Sequence, residues 1–178
     1  TGKTTLGGLF PNPIFIAAET GAATFDGWEE KPDFFPTVEG KAAPTEYVNS
    51  LIIALGKEEH NYKTLVIDSV TALNLLFEKQ LMSKYNETAV MNCAGGYGKG
   101  LEELATMHRD FFMLCKHLAK VKNMAVVFLA HTGMEKIKDS PSETADYSVY
   151  SLDMPKKSAS VYVANSDAVL YLTKEKFI

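Results

Sequence analysis

Apolar positions along this chain fall into short, β-branched runs separated by stretches with helical spacing. Residues 14–18 (IFIAA), 63–68 (KTLVID) and 124–129 (MAVVFL) have the length and content of buried parallel strands. Each is followed by polar residues: Glu19 after the first, Asp68 and Ser69 at the end of the second, His131 after the third. Between them, residues 45–55, 73–85 and 101–122 repeat apolar side chains every three or four positions. The stripes are Val48, Leu51, Ile52 and Leu55; Leu73, Leu76, Phe77 and Leu81; and Leu104, Met107, Phe111, Leu114, Leu118 and Val121. Thr45 is the expected N-cap of the first of these helices. Residues 4–9 read as a short helix that Pro11 and Pro13 stop. Residues 22–44 and the Gly-rich, flexible 94–100 read as loops, and 133–146 as a mobile polar stretch. Residues 147–154 and 168–173 are two expected late strands, joined by 156–164. The alternation predicts an α/β fold with a mainly parallel central sheet flanked by helices.

That pattern gives meaning to the first five residues, Thr1-Gly2-Lys3-Thr4-Thr5, which read as the tail of a phosphate-binding loop. Gly2 lets backbone approach a phosphate with no Cβ in the way. The N–H groups that follow open a helix and aim at an anion, with the positive end of the helix dipole behind them. Lys3 can reach β- and γ-phosphates, and the Thr4 hydroxyl can ligate Mg²⁺. A Gly-Lys-Thr-Thr run alone also fits an ordinary turn, so the second motif decides. An apolar strand that ends in Asp68 presents a carboxylate to Mg²⁺ at the C-terminal edge of a parallel sheet. Glu19 and His131 end their strands at the same edge. Glu19 is a candidate general base for an attacking water, and His131 a candidate γ-phosphate donor or sensor. The loop's leading glycine and the strand that should feed it are read as lying before Thr1, so sheet order is left open.

The 178 residues fit one domain, 46% apolar and 22% charged. No run is apolar enough to span a bilayer, and no secretory signal is visible. Cys93 and Cys115 lack metal spacing and are expected as reduced thiols in a cytoplasmic protein. A net charge of −4 excludes a broadly basic nucleic-acid surface, so any DNA contact has to be local. Arg109 is the one arginine, placed off the apolar stripe of its helix. P-loop kinases usually bring several arginines over the transferred phosphate, which this chain cannot do.

The phosphate loop, the strand ending in Glu (IFIAAET), the strand ending in Asp-Ser (TLVIDS) and the strand ending in a polar sensor (FLAHT) together resemble the RecA-like core ATPases. The chain looks closest to the short phage RecA-core ATPases of single-strand annealing and recombination. The Gly-Tyr-Gly-Lys loop at 96–99 and the C-terminal stretches 147–157 and 166–172 are similar to that family as well. The resemblance implies a RecA-like P-loop NTPase that binds ATP and Mg²⁺ through Thr1, Gly2, Lys3, Thr4, Thr5 and Asp68. Glu19 would be its catalytic carboxylate. His131 stands where RecA-type proteins carry a glutamine that couples ATP to DNA. Lys156 and Lys157 would reach a neighbouring subunit's ATP site in a ring or filament. Single-stranded DNA would meet Tyr97 and Lys99 in one loop and Lys136 and Lys138 in the other. Implied partners are DNA, further copies of the chain and a single-strand-binding protein, with no membrane. A helicase or motor core of the same fold, and a nucleotide-gated protein-binding switch with little hydrolysis, are the alternatives.

Overall fold

The three apolar runs become neighbouring parallel strands: β1 (Pro13–Ala17), β3 (Thr64–Asp68) and β4 (Ala125–Leu129). The computed structural model describes residues 2–21, 28, 31–137 and 147–173. A two-residue strand, β2 (Asp33–Phe34), pairs with the outer side of β1 and gives the order β2-β1-β3-β4. It corrects the reading of residues 22–44 as loop throughout.

Strand side chains alternate between faces, and that alternation builds the layers. Ile14, Ile16, Leu65, Ile67, Val126 and Phe128 face one way and meet helices α2 (Pro44–Lys57), α3 (Val70–Tyr85), α4 (Lys99–Lys122) and α5 (Lys156–Asn165). Phe15, Val66 and Leu129 face the other way, where α1 (Lys3–Gly8) lies with Trp28 and Phe34. Burying each large apolar side chain contributes about 1.5–3 kcal/mol, so the larger layer dominates stability. The α1 layer rests on close approach. A Cβ on Gly7 would lie 3.0 Å from Val66, and one on Gly8 would lie 2.2 Å from the Trp28 ring. Asp68 has the parity of Val66, so its carboxylate is delivered to the α1 face.

Other expectations need correction. Thr45 is not the cap of α2. Pro44 opens that helix after Ala43, and the Thr45 N–H and hydroxyl both donate to Gln80 of α3 instead. Along α4, Leu104, Phe111 and Leu118 are buried as expected, but Val121 is exposed, and Ala105, His108, Phe112 and Cys115 join the buried face. The helix is buried over a wider arc because α2, α3 and α5 all pack on it. Arg109 is exposed. The Gly-rich segment is folded: a 3₁₀ turn, Val90–Gly95, leads into left-handed residues, and Gly100 already belongs to α4, buried against Val90. β4 is an edge strand among the described residues, with Ala125 exposed and its three middle residues half-buried. The stretch 133–146 is not mobile throughout: residues 138–146 lie outside the described residues, and residues 132–137 are regular strand. They form β5 (Thr132–Ile137), antiparallel to β6 (Tyr147–Leu152). The segment expected to link two strands is α5, and residues 168–173 carry no strand. Val169 and Leu170 are exposed there. Cys93 and Cys115 are buried, unbridged thiols, both with burial pushing their pKa upward. Among the described residues, no helix is long and apolar enough to cross a membrane.

Candidate active site

Register fixes the site. Ala17, Asp68 and Leu129 are level across β1, β3 and β4, with Asp68 in the middle. Glu19 and His131 follow two residues beyond Ala17 and Leu129, one on each side of Asp68. The Ala18 N–H donates to the Asp68 carbonyl at 2.8 Å and carries the pairing past the end of β1. The strand ends therefore bring Glu19, Asp68 and His131 to one edge of the sheet, as the sequence predicts.

The two phosphate motifs meet directly. Gly2 stands at the N-cap of α1 with φ 82°, a left-handed conformation that glycine adopts without strain. Space around it is open, with nothing within 4 Å of a Cβ built there. One turn of helix then presents Thr4, whose hydroxyl donates to the Asp68 carboxylate at 2.6 Å. These residues are 64 apart in the chain and share no local structure, so the contact is a product of the fold. Asp68 is nearly buried and Thr4 half-buried. Two hard oxygen groups this close, beside the N–H groups that open a helix, fit a Mg²⁺ ion held against phosphate. Lys3 is half-buried on the same turn, and Thr5 is exposed. Thr1 lies outside the described residues.

The helix that leaves Asp68 organises the rest of this edge. Ser69 caps α3 by accepting the Ala72 N–H at 3.2 Å. The peptide between Asp68 and Ser69 is cis. Thr71 accepts the backbone N–H of His131 at 2.9 Å, and the His131 carbonyl accepts the Asp153 N–H at 3.0 Å. Both backbone bonds hold the strand end in place while the His131 side chain stays exposed. Glu19 is exposed as well. A second carboxylate stands beside it, which sequence spacing does not reveal. Glu39 accepts the Thr20 N–H at 3.2 Å and the Thr20 hydroxyl at 3.4 Å. It gets there because residues 37–39 run along the end of β1, with the Val38 N–H bonded to the Ala17 carbonyl.

The remaining candidates lie on other elements. Lys156 pairs with Glu135 of β5 at 3.1 Å, and Lys157 pairs with Glu102 of α4. Both pairs are within this chain and well exposed, the class of ion pair worth about 0–1 kcal/mol. Tyr97 is fully exposed at 101% with φ 53°, and Lys99 opens α4 two residues later. Lys136 lies in β5, and Lys138 lies outside the described residues.

A phosphate-type turn opening a helix, a hydroxyl–carboxylate pair and a parallel sheet with ligand groups at its C-terminal edge define a P-loop NTPase. The family comparison agrees: a family model described as an AAA domain matches residues 1–178, and the chain belongs to that family. It is a nucleotide-binding ATPase domain of AAA type, a class that usually works with Mg²⁺. No curated protein and no solved structure matches the chain.

Proposed function

We propose that this ATPase is of RecA-like core type and hydrolyses ATP to ADP and phosphate while bound to single-stranded DNA, in phage-type recombination or annealing. The observation that carries the reading is the 2.6 Å contact between Thr4 and Asp68, with Glu19 and His131 on either side of it. Thr4 and Asp68 would hold Mg²⁺, which supplies positive charge against the β- and γ-phosphate oxygens. Gly2, Lys3, Thr4 and Thr5 cradle the phosphates through N–H groups and the lysine ammonium, and Thr1 belongs to the same sequence motif. Glu19 takes a proton from the attacking water, and His131 meets the γ-phosphate. The exposed Tyr97 offers a face on which a base can stack, and Lys99, Lys136 and Lys138 neutralise strand phosphates. The reading places the protein in the cytoplasm, of a bacterial host if it is phage-encoded, with a single-strand-binding protein as a possible companion. Two buried thiols suit a reducing compartment.

The test is ATP turnover with and without single-stranded DNA across a salt series. DNA should stimulate hydrolysis at low salt, and the stimulation should fade as salt rises, with a shallow slope set by few contacts. Lys3→Ala should lower Mg-ATP affinity at least about tenfold, the loss of one charge-assisted contact, in a calorimetric titration. Unchanged affinity in that variant would remove the nucleotide assignment of Lys3. Absence of DNA stimulation at every salt concentration would remove the DNA reading.

The lysines lead to assembly. With one arginine in the chain, positive charge for the transition state has to come from elsewhere. Lys156 and Lys157 follow Pro155 at the start of α5, and we place them across a subunit interface on a neighbour's γ-phosphate. Specific ATPase activity should then rise with protein concentration. A Lys156→Ala/Lys157→Ala double variant should bind ATP and lose that rise. A rate independent of concentration, with the protein monomeric by light scattering under ATP and DNA, rules out the shared site. The ion pairs of both lysines within the chain favour the second reading, a nucleotide-gated switch, if that is the result.

A further inference from the structure

We propose that His108 is a positioning residue of this ATPase: its imidazole joins α5, which carries Lys156 and Lys157, to α3, which begins beside Asp68. The functional part of the proposal rests on the reading of those lysines given above. The joint itself rests on geometry alone.

His108 lies on α4 and is fully buried. Its Nδ1 is 2.8 Å from the Tyr162 hydroxyl of α5, and its Nε2 is 3.1 Å from Oδ1 of Asn74 on α3. Asn74 is buried too, and its amide nitrogen donates to Glu78 at 2.9 Å. That last bond orients the amide, so Oδ1 faces the ring and Nε2 has to donate. Nδ1 is then an acceptor, and the Tyr162 hydroxyl is its donor. Burial, and secondarily the nearby Cys115, holds the Tyr162 phenol well above its ordinary pKa, so the hydroxyl keeps its proton. Every member has one role, and a neutral imidazole alone satisfies all of them.

The joint is the buried polar tie of α5 to the other helices among the described residues. Ser158, on the same helix and fully buried, has a hydroxyl without a partner, and the two lysine ion pairs are exposed. Aromatic packing supplies the rest. The Tyr162 ring stands edge-on to Phe128 of β4 at 5.2 Å and to Phe112 of α4 at 5.9 Å. Those contacts are tolerant of small rotations, whereas a hydrogen bond at 2.8 Å selects one. Lys157 sits five residues before Tyr162 on one continuous helix, so fixing Tyr162 fixes the direction of the helix start. At the other end, Asn74 follows Thr71, which holds His131, and Ser69, which caps the helix leaving Asp68. The line from Tyr162 through His108 to Asn74 therefore sets the lysine-bearing helix against the helix that frames the phosphate edge.

Three single variants test this: Tyr162→Phe, His108→Leu and His108→Gln. Glutamine offers one acceptor and one donor, as the neutral imidazole does, and leucine offers neither. The readouts are hydrogen–deuterium exchange of the α5 amides, Mg-ATP affinity by calorimetry, and the concentration-dependent part of the ATPase rate. Tyr162→Phe removes a single oxygen and keeps the ring, so it tests the joint even if His108→Leu fails to fold. Tyr162→Phe and His108→Leu should keep Mg-ATP affinity within about twofold and speed α5 exchange about tenfold, the scale of one lost buried hydrogen bond. They should also lose the concentration-dependent rate, and His108→Gln should retain it. Wild-type exchange in Tyr162→Phe overturns the joint. A His108→Gln variant as impaired as His108→Leu overturns the positioning role and leaves His108 as core filling. If the Lys156→Ala/Lys157→Ala variant keeps its concentration dependence, the lysine reading fails, and the exchange readout still decides the joint.

Discussion

Replacing Glu19 with glutamine should leave Mg-ATP binding intact and slow hydrolysis about 10²–10⁴-fold, the usual contribution of a positioned general base. Glutamine has the same length and one equivalent oxygen but cannot take a proton from water. Glu19 stands two residues past the level of Asp68 on the neighbouring strand, at the same edge of the sheet. Glu19 is exposed, so water reaches it. Single-turnover hydrolysis beside calorimetric affinity separates the two effects. Near-normal turnover in Glu19→Gln would move the base elsewhere, and Glu39, held against Thr20, is the next carboxylate in line.

Acid should unfold the wild-type domain more readily than a His108→Gln variant. Burial lowers the His108 pKa from 6.5 to about 4, because the buried ring resists charging. The unfolded chain binds a proton near pH 6.5 and the folded one near pH 4, so the unfolded state holds more protons between those values. Stability from this residue is therefore complete above about pH 6.5, declines as pH falls toward 4, and is level below that. The difference corresponds to about 3 kcal/mol. The titratable groups around the ring are Tyr162 on α5, Cys115 on its own helix, and Glu78, reached through Asn74. None offers a protonated imidazole a direct carboxylate partner. Denaturant titrations from pH 7.5 to 4 should give similar stabilities for wild type and His108→Gln at neutral pH and a gap that opens toward the acid end, with wild type the less stable. Parallel curves would mean that His108 is reached by water in the native state.

The three parallel strands were legible because their runs are short, β-branched and almost wholly apolar, in the fully buried β1 and β3 and in the half-buried edge strand β4 alike. IFIA, TLVID and AVVFL admit one interpretation, and their polar ends predicted which residues gather at the sheet edge. The helix stripes of α3 and α4 were legible for the same reason. Long-range polar pairing was not. Thr45 looks like a cap by its neighbours, yet its donors turn to Gln80 because Pro44 already opens the helix and α3 lies alongside. Glu39 gave no signal, since its place beside Thr20 depends on a loop folding back along β1. His108 was hidden by its own position, one residue after Met107 on the stripe and one before Arg109. Only the packing of three helices around α4 turns that flank into core. The β5–β6 hairpin was missed because Thr132–Ile137 mixes Gly and charged residues with apolar ones, and its pairing with β6 outweighs that weak local preference.

The ring of Trp28 lies so close to Gly8 that no side chain fits between them, and it is the one tryptophan in the chain. Indole emission from the native protein therefore comes from a single site, against the last turn of α1. That helix is six residues long, so its far end is barely two turns from the backbone groups of the candidate phosphate turn. The domain thus carries an optical probe built into the layer beside its candidate phosphate turn, with no label to attach and no residue to replace.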